Sequence, residues 1–416
     1  MTRHWFILAD DLTGAADCAV AFGRRGLSAA VTWGQADNLR DRHEPILAFD
    51  AASRGLPAEA AAARHADALA SGPLSGRVLF KKIDSTLRGQ PAAEIAATLA
   101  CLKSTSGPAI GVLAAAFPAT GRTTLDGRIL VDGRALEESD LWRRDHTYRN
   151  ADLVDVLASA GIRGRKVTLS AIRHGELKTM LVEMADQRDV VLVCDAETEH
   201  DLHLVAEAGL NASPPCFFIG SAGLAHALAG LDAGGNAEPP RVAASPFGTL
   251  TVVGSLADAS RSAARRLNAS GVVAYFPIEP ETLHGNNAGR TAIAADIRER
   301  LAEGSDVLVE IMMNGSPDMS LGPRLVGNLA EILQEVAPVV GAFAATGGET
   351  AAALLSRFGV NAIHLVDEIE PGVSLGLTLG ALSIPISTKA GAFGDEHSLI
   401  RINERLRAIR TRGSFT

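Results

Sequence analysis

Within FKKIDSTLRGQP, positions 80 to 91, stand Lys81, Lys82, Asp84, Ser85, Thr86 and Arg88. Two ammonium groups, a guanidinium, a carboxylate and two hydroxyls this close together suit a polyhydroxylated anion. The cations would meet a carboxylate or phosphate, and Asp84 and Ser85 the hydroxyls. The plain structural reading is a polar loop in which Asp84 or Ser85 caps the next helix. Composition favours the chemical one. Of 39 basic residues only six are Lys, and two of those are adjacent here. A lysine kept where arginine otherwise dominates points to a use for a compact charge.

A second acidic feature is WFILADDLTGAAD, where Asp10 and Asp11 follow the apolar run Trp5–Leu8. The small-residue stretch behind them reads as a helix start, with Asp11 or Thr13 as N-cap. Charged groups at the carboxyl end of a parallel strand lie where open α/β sheets bind ligands. The alternative is a solvated strand end with one capping aspartate. FDAASRG (Asp50, Ser53, Arg54) and AFPATGRTT (Arg122, Thr123) place more polar groups just after apolar runs.

Three strand–turn–helix junctions read as anion sites: Gly220-Ser221, Gly254-Ser255 and Thr346-Gly347-Gly348-Glu349. Glycine lets the backbone turn sharply beside a ligand, and the helix start offers free N–H groups. Each would also serve as an ordinary βα turn. Late turns carry Gly372, Lys389, Gly391 and Gly394. His200 and His203, with Glu197 and Glu199 nearby, have metal-ligand chemistry but read as a solvated helix start. No two glycines are separated by one residue, and Gly-Lys does not occur, so G-x-G-x-x-G and Walker A loops are absent.

The elements that must position these groups alternate steadily. Strands are expected at Phe6–Ala9, Ala29–Trp33, Ile46–Phe49, Val78–Lys82, Ile110–Ala114, Lys166–Leu169, Val190–Cys194 and Cys216–Ile219, with helices such as Ala92–Leu102 and Leu177–Gln187 between them. Two Asp-Gly pairs around RILV predict a small antiparallel hairpin. DAGGNAEPPRVAASPFG reads as a linker. Beyond it strands are expected at Leu250–Val253, Val272–Phe276, Val307–Ile311, Val339–Ala344, Ala362–Val366 and Leu382–Ile386. The expected fold is α/β, two doubly wound domains with mostly parallel sheets and an active-site cleft between them. The boundaries are 1–235, a linker at 236–247, and 248–416.

The 416 residues exceed one ordinary core. A net charge of −9 argues against a nucleic-acid partner. Cys18, Cys101, Cys194 and Cys216 form no C-x-x-C pair and read as free thiols. Neither a signal peptide nor a run of about 18 apolar residues is present. The expected location is the cytoplasm.

ADDLTGAAD, Ser53-Arg54, KKIDSTLRGQ, FPATGRTT, GSAGLA, VVGS, TGGETA, PGVSLG and KAGAFG occur in this order across the whole chain. The set resembles the four-carbon acid sugar kinase family. The resemblance implies an N-terminal acid-sugar domain, a C-terminal nucleotide domain, and ATP-dependent phosphorylation of the terminal hydroxyl of a tetronate such as D-threonate. It implies that Asp11, with Asp10, Arg54 and the stretch Lys81, Lys82, Ile83, Asp84 and Ser85, binds the acid sugar. Ser255, Thr346, Gly347, Gly348, Glu349 and Gly391 would bind ATP. The form ADDLTGA is closer to threonate and erythronate kinases than to the oxo-tetronate branch. One departure is LADASRSAARR after Gly254-Ser255, where the family pattern has further hydroxyl residues and a glutamine.

The residue chemistry suits phosphoryl transfer as a problem of positioning and charge stabilisation. Arg54, Lys82, Asp84 and Ser85 would hold the substrate carboxylate and hydroxyls, with Arg88 and Arg122 close by. Asp10, Asp11 or Asp84 would accept the proton of the attacking hydroxyl, and Mg²⁺ would bridge the ATP phosphates. Closure of the two domains would exclude water. The partners expected are the acid sugar and ATP, with neither nucleic acid nor membrane, in a chain compatible with a homodimer. Competing readings are a D-erythronate or 3-oxo-tetronate kinase, a non-catalytic sugar-acid-binding protein, or a dehydrogenase or lysine-imine aldolase.

Overall fold

The computed structural model describes residues 3–144, 146–184, 189–213, 215–284, 287–312 and 322–415. The chain forms two units, residues 1–29 with 33–236, and residues 30–32 with 237–416.

The first unit carries strands β1 (His4–Ala9), the two end residues of β2 (Ala29–Trp33, whose residues 30–32 belong to the second unit), β3 (Ile46–Asp50), β4 (Arg77–Lys82), β5 (Ile110–Ala114), β6 (Arg122–Leu125), β7 (Arg128–Val131), β8 (Arg134–Ala135), β9 (Arg163–Val167), β10 (Val190–Cys194) and β11 (Phe217–Gly220). Its sheet runs β3-β1-β4-β11-β5-β10-β9, with every pairing parallel. Trp5, Phe6, Ile7 and Leu8 are all fully buried, as a strand covered on both faces requires. Trp5 packs on Phe22 and Phe218, and its indole N–H donates to Asp232 at 3.0 Å. Phe6, Leu8, Leu47, Phe49, Leu79, Leu113, Val193 and Phe217 share one core cluster.

The two Asp-Gly pairs behave as their sequence predicts. Asp126-Gly127 and Asp132-Gly133 all have positive φ, between 49° and 76°, and join β6, β7 and β8 into an antiparallel meander. Such pairs form the turns whose twist matches a hairpin. Asp195 fixes the first turn by accepting both Asp126 N–H and Gly127 N–H at 2.8 Å.

The second unit carries β12 (Thr249–Val253), β13 (Val273–Ile278), β14 (Asp306–Ile311), β15 (Ala342–Thr346), β16 (Val360–Glu370), β17 (Val373–Gly380) and β18 (Pro385–Lys389). Their order is β13-β14-β12-β15-β18-β17-β16, parallel except where β17 pairs with its two neighbours. Asp306 receives Arg407 at 2.8 Å and Arg410 at 2.9 Å, tying the helix Ser398–Arg412 to the start of β14.

Several expectations need correction, among them the strands expected at Val339–Ala344 and Leu382–Ile386, which lie at Ala342–Thr346 and Pro385–Lys389. β17 was not foreseen, because VSLGLTLG is interrupted by glycines that read as turns. A Cβ on Gly376 would run into the His364 carbonyl, so this glycine permits close strand approach. The strand expected at Lys166–Leu169 lies earlier, at Arg163–Val167, because Thr168 caps a helix beginning at Leu169. The helix expected at Leu177–Gln187 is seen as Leu177–Glu183, and residues 185–187 lie outside the described ones. Among the described residues no helix is long and apolar enough to cross a membrane.

Candidate functional site

In the first unit β1 lies between β3 and β4, so the chain passes from β3 on one side of β1 to β4 on the other. Such a switch point opens a crevice at the carboxyl ends of the strands. Asp10 and Asp11 follow β1, Asp50 to Arg54 follow β3, and Lys82 to Arg88 follow β4, so three adjacent strand ends supply the polar groups.

Arg54 organises the acids. Its Nε and Nη2 donate to the two oxygens of Asp10 at 2.7 and 2.9 Å, its Nη1 lies 2.8 Å from Asp11 Oδ2, and its Nη2 lies 3.6 Å from Asp84. The loop carrying it folds back on β1: Ser53 N–H and Arg54 N–H both donate to the Asp10 carbonyl. To do so Ala52 takes φ +50°, and Leu87 in the β4 loop takes φ +61°. Non-glycine residues held there mark backbone fixed by its surroundings, a frequent trait of functional loops.

Asp11 caps the helix Leu12–Gly23, accepting Gly14 N–H at 3.0 Å and the Thr13 hydroxyl at 2.6 Å. Burial pushes its pKa up, but Arg54 and Lys82 outweigh this and hold it below the ordinary carboxylate value. Asp84 is filled on both oxygens. Thr86 donates to one through N–H and hydroxyl, and Arg88 donates twice to the other, at 2.6 and 3.1 Å. Against burial, Arg88 and Arg54 hold Asp84 well below the usual range.

The adjacent lysines separate, as successive residues of a strand must. Lys81 is fully enclosed: its ammonium meets Glu94 at 2.9 Å and the Lys82 carbonyl at 2.5 Å. Glu94 also accepts the Ser53 hydroxyl at 2.7 Å, and His65 Nε2 lies 3.0 Å from that hydroxyl. Burial opposes the Glu94 charge, but Lys81 and His65 lower its pKa far below normal. Lys81 and Ser53 therefore brace the loops from inside. Lys82 goes to the site. Its side chain is 5% exposed, yet among the described residues it has no hydrogen bond and no ion pair within 4.0 Å. Burial opposes its charge, while Cys18 and the carboxylates of Asp10, Asp11 and Asp84 raise its pKa.

Gly14 marks the space beside this ammonium. A Cβ there would sit 2.6 Å from Asp11 Oδ1 and 2.8 Å from Lys82 Nζ. A carboxylate oxygen, an unpartnered ammonium and a glycine thus share one small volume. Ser85 is buried too, and its hydroxyl makes no internal hydrogen bond among the described residues. Ile83 is buried in the core cluster, so its contribution to a ligand would be through the backbone. Arg122 lies at the start of β6, donating to the Thr120 carbonyl at 2.8 Å; burial lowers its pKa, and Asp84 and Arg88 are among its charged neighbours.

Asp50 is a group the sequence offered only as one polar residue among several. It is buried at the end of β3, and its Oδ1 accepts Ala52 N–H at 2.6 Å. Burial and the negative charge of Asp11 push its pKa to about 8, so it is mostly neutral at pH 7. At the GSAGLA junction Ser221 donates to the Ala116 carbonyl at 2.6 Å and caps the helix Ala222–Leu231. His200 and His203 stack on a helix start where Thr198 and Asp201 form a capping box.

The second unit gathers the other predicted residues at the ends of three neighbouring strands, β12, β15 and β18. Ser255 N–H lies 3.4 Å from Thr346 Oγ1, and Gly347 N–H donates to the Lys389 carbonyl at 2.9 Å. Gly347 has φ +91°, and a Cβ on Gly391 would collide with Ser255 Oγ. Gly348 and Glu349 open the helix Gly348–Arg357. The helix Asp258–Ala269, which departs from the family pattern, still reaches this cradle: the Ser260 hydroxyl donates to the Gly391 carbonyl at 2.8 Å.

Residues 5–228 match the model of a sugar-binding N-terminal domain, and residues 250–399 that of a nucleotide-binding C-terminal domain. Over 406 residues the chain is 40% identical to a D-threonate kinase of Cupriavidus necator, an alignment covering 95% of this chain and 96% of the relative. The chain belongs to the four-carbon acid sugar kinase family. A D-threonate kinase of Bordetella bronchiseptica is 33% identical, with 97% of this chain and 98% of the relative covered. A 3-oxo-tetronate kinase of Methylobacterium radiotolerans is 28% identical, covering 93% and 95%. Among solved structures, a Salmonella typhimurium LT2 protein superposes with TM-score 0.79 at 20% identity, covering 97% of this chain and 99% of the other. A Haemophilus influenzae protein does so at 0.71 and 19%, covering 99% and 100%. Both share the fold.

Proposed function

We propose that the chain transfers the γ-phosphoryl group of ATP to the terminal (4-) hydroxyl of a four-carbon sugar acid, D-threonate. The observation that carries this reading is Lys82, a buried ammonium without a direct partner, sharing the space over Gly14 with Asp11. An anionic, hydroxylated ligand would meet the unmet cation and the open Ser85 hydroxyl together. The names of the D-threonate kinase relatives support the same substrate.

Arg54 would act mainly by fixing Asp10, Asp11 and Asp84, since its donors already face those acids. Asp84 is saturated with donors and Asp10 is held on both oxygens. Asp11 Oδ1 accepts one backbone N–H and faces the Gly14 space, so Asp11 is the group best placed to receive the hydroxyl proton. As the substrate oxygen bonds to phosphorus, the bond to ADP breaks and the proton passes to Asp11. The second-unit turns around Ser255, Thr346–Glu349 and Gly391 would cradle the nucleotide with N–H groups and hydroxyls.

The hard oxygen donors there that could reach Mg²⁺ are Ser255 and Glu349, a small set that fits an ion held largely by phosphate and water, since Thr346 is fully buried and its hydroxyl oxygen faces the Ser255 N–H. Mg²⁺ would supply charge neutralisation of the phosphates.

The test is ADP release by the purified chain with Mg²⁺-ATP and, separately, D- and L-threonate, D- and L-erythronate and their 3-oxo acids. D-threonate should give the highest kcat/KM. Greater turnover with an erythronate or an oxo acid would reassign the substrate, and no stimulation by any of them would reject the kinase reading. Asp11→Asn should lower kcat by about 100-fold or more with little change in KM for ATP. An unchanged kcat would remove Asp11 from proton transfer.

A further inference from the structure

Three of the six lysines have ordinary partners: Lys81 on Glu94, Lys103 on Asp189 and Lys166 on Asp152. Lys389, the last residue of β18, does not. It is 0% exposed, and among the described residues no carboxylate lies within 4.0 Å of its ammonium. The ammonium faces three neutral acceptors instead: Ser260 Oγ at 3.2 Å and the carbonyls of Ala390 and Gly391 at 3.3 and 3.5 Å. An ammonium taken out of water without a counter-ion is unfavourable. Its position needs a reason beyond packing.

The reason lies in the peptide planes. In a trans peptide the C=O and the following N–H point in opposite directions. Carbonyls of Ala390 and Gly391 drawn toward Lys389 therefore turn the N–H groups of Gly391 and Ala392 away from it. Neither N–H has an acceptor among the described residues, whereas Ala390 N–H donates to Gly372 and Phe393 N–H to Ala390. Successive outward N–H groups form a concave anion-binding nest. Ser260 reinforces the arrangement through its own bond to the Gly391 carbonyl, and Ser255 Oγ lies where a Cβ on Gly391 would fall.

We propose that Lys389 is a positioning residue for the nucleotide, holding the Ala390–Gly391 carbonyls inward so that the Gly391 and Ala392 N–H groups receive a phosphate of ATP. This rests on the assignment of the second unit as the nucleotide-binding one. The phosphate also supplies the negative charge that Lys389 lacks. The nearest acids do not: Glu370 and Asp395 are each bonded to Arg401. Burial lowers the Lys389 pKa to about 8, against the opposing pull of Glu370 and Asp395. Other charged residues on the packed elements include Asp258, Arg261, Glu349 and His397.

The experiment uses the full chain and its Lys389→Met variant. It measures calorimetric affinity for a non-hydrolysable ATP analogue, KM for ATP, KM for D-threonate and thermal unfolding. Lys389→Met should weaken ATP, in both KM and analogue affinity, by about tenfold or more, while KM for D-threonate stays within about twofold. Lys389→Met that unfolds like the wild type and keeps its ATP KM within about twofold overturns the proposal. If the variant does not fold, the wild type decides. Its analogue affinity should fall between about pH 7 and pH 9.5, a window that ordinary carboxyl, imidazole and guanidinium groups do not titrate. A flat profile overturns the proposal. A wild type that binds no analogue at any pH refutes instead the nucleotide assignment on which it rests.

Discussion

Replacing Arg54 with Met should damage the protein in a way only its ion pairs explain. Arg54 is 21% exposed and contacts three carboxylates that are themselves 2% to 12% exposed. Arg88 still serves Asp84 in the variant, so the loss falls on Asp10 and Asp11. Removing one partner of a buried ion pair costs about 3–5 kcal/mol, and that is the expected loss at pH 7. The pH dependence fixes the cause. Asp11 is held below its ordinary value, so in the wild type its contribution is present above about pH 4 and is lost as the pH falls through the depressed value. Without Arg54 this carboxyl can be neutralised by a proton. The difference between variant and wild type should therefore shrink as the pH drops from about 7 toward about 4. Trp5, Trp33 and Trp142 are the only tryptophans, all in the N-terminal half, so urea unfolding followed by tryptophan fluorescence isolates the relevant half. Arg54→Lys should recover part of the loss, since one ammonium cannot reproduce the fork on Asp10. A loss below about 1 kcal/mol at pH 7, or one equal at both pH values, would refute the reasoning.

The neighbouring lysines should respond in opposite ways. Lys82→Met is expected to raise KM for D-threonate by about 30-fold or more with stability nearly intact, and Lys81→Met to destabilise by about 3–5 kcal/mol through the stranded Glu94; kinetics and urea unfolding of both separate the cases. Asp50 should appear in the pH profile. Ionisation near pH 8 adds a carboxylate beside Asp10 and Asp11, so KM for the anionic substrate should rise above that pH, and Asp50→Asn should flatten the rise. Gly391→Ala should weaken ATP by about tenfold, because the new methyl meets Ser255, while KM for D-threonate holds.

Much of the site could be read from the sequence because it stands on strand ends. Apolar runs at Trp5–Leu8, Ile46–Phe49 and Val78–Phe80 placed Asp10, Arg54 and Lys82 at the carboxyl edge, and the structure brings those three ends together. The strand period also contained a signal that went unused: Lys81 and Lys82, being adjacent, had to face opposite ways. What Lys81 would meet was not legible, since Glu94 lies on the helix Pro91–Ser106 and meets it only through packing. Asp50 was visible as a residue, but its perturbation depends on burial beside Asp11. β17 hid behind glycines that serve strand approach, whereas the Asp-Gly turns of the meander were plain because their backbone demand is local.

The bracing of Lys81, Glu94, Ser53 and His65 has a consequence for stereochemical choice. It joins β4, the helix Pro91–Ser106 and the loop carrying Arg54 into one folded piece, so the groups facing the Gly14 space have little freedom to follow a ligand. A rigid polar pocket discriminates by leaving buried donors unmet when one hydroxyl has the wrong configuration, and such mismatches can reach about 10⁴-fold. On this view the epimer at a single carbon is rejected by residues that never touch it, through the stiffness they lend to those that do.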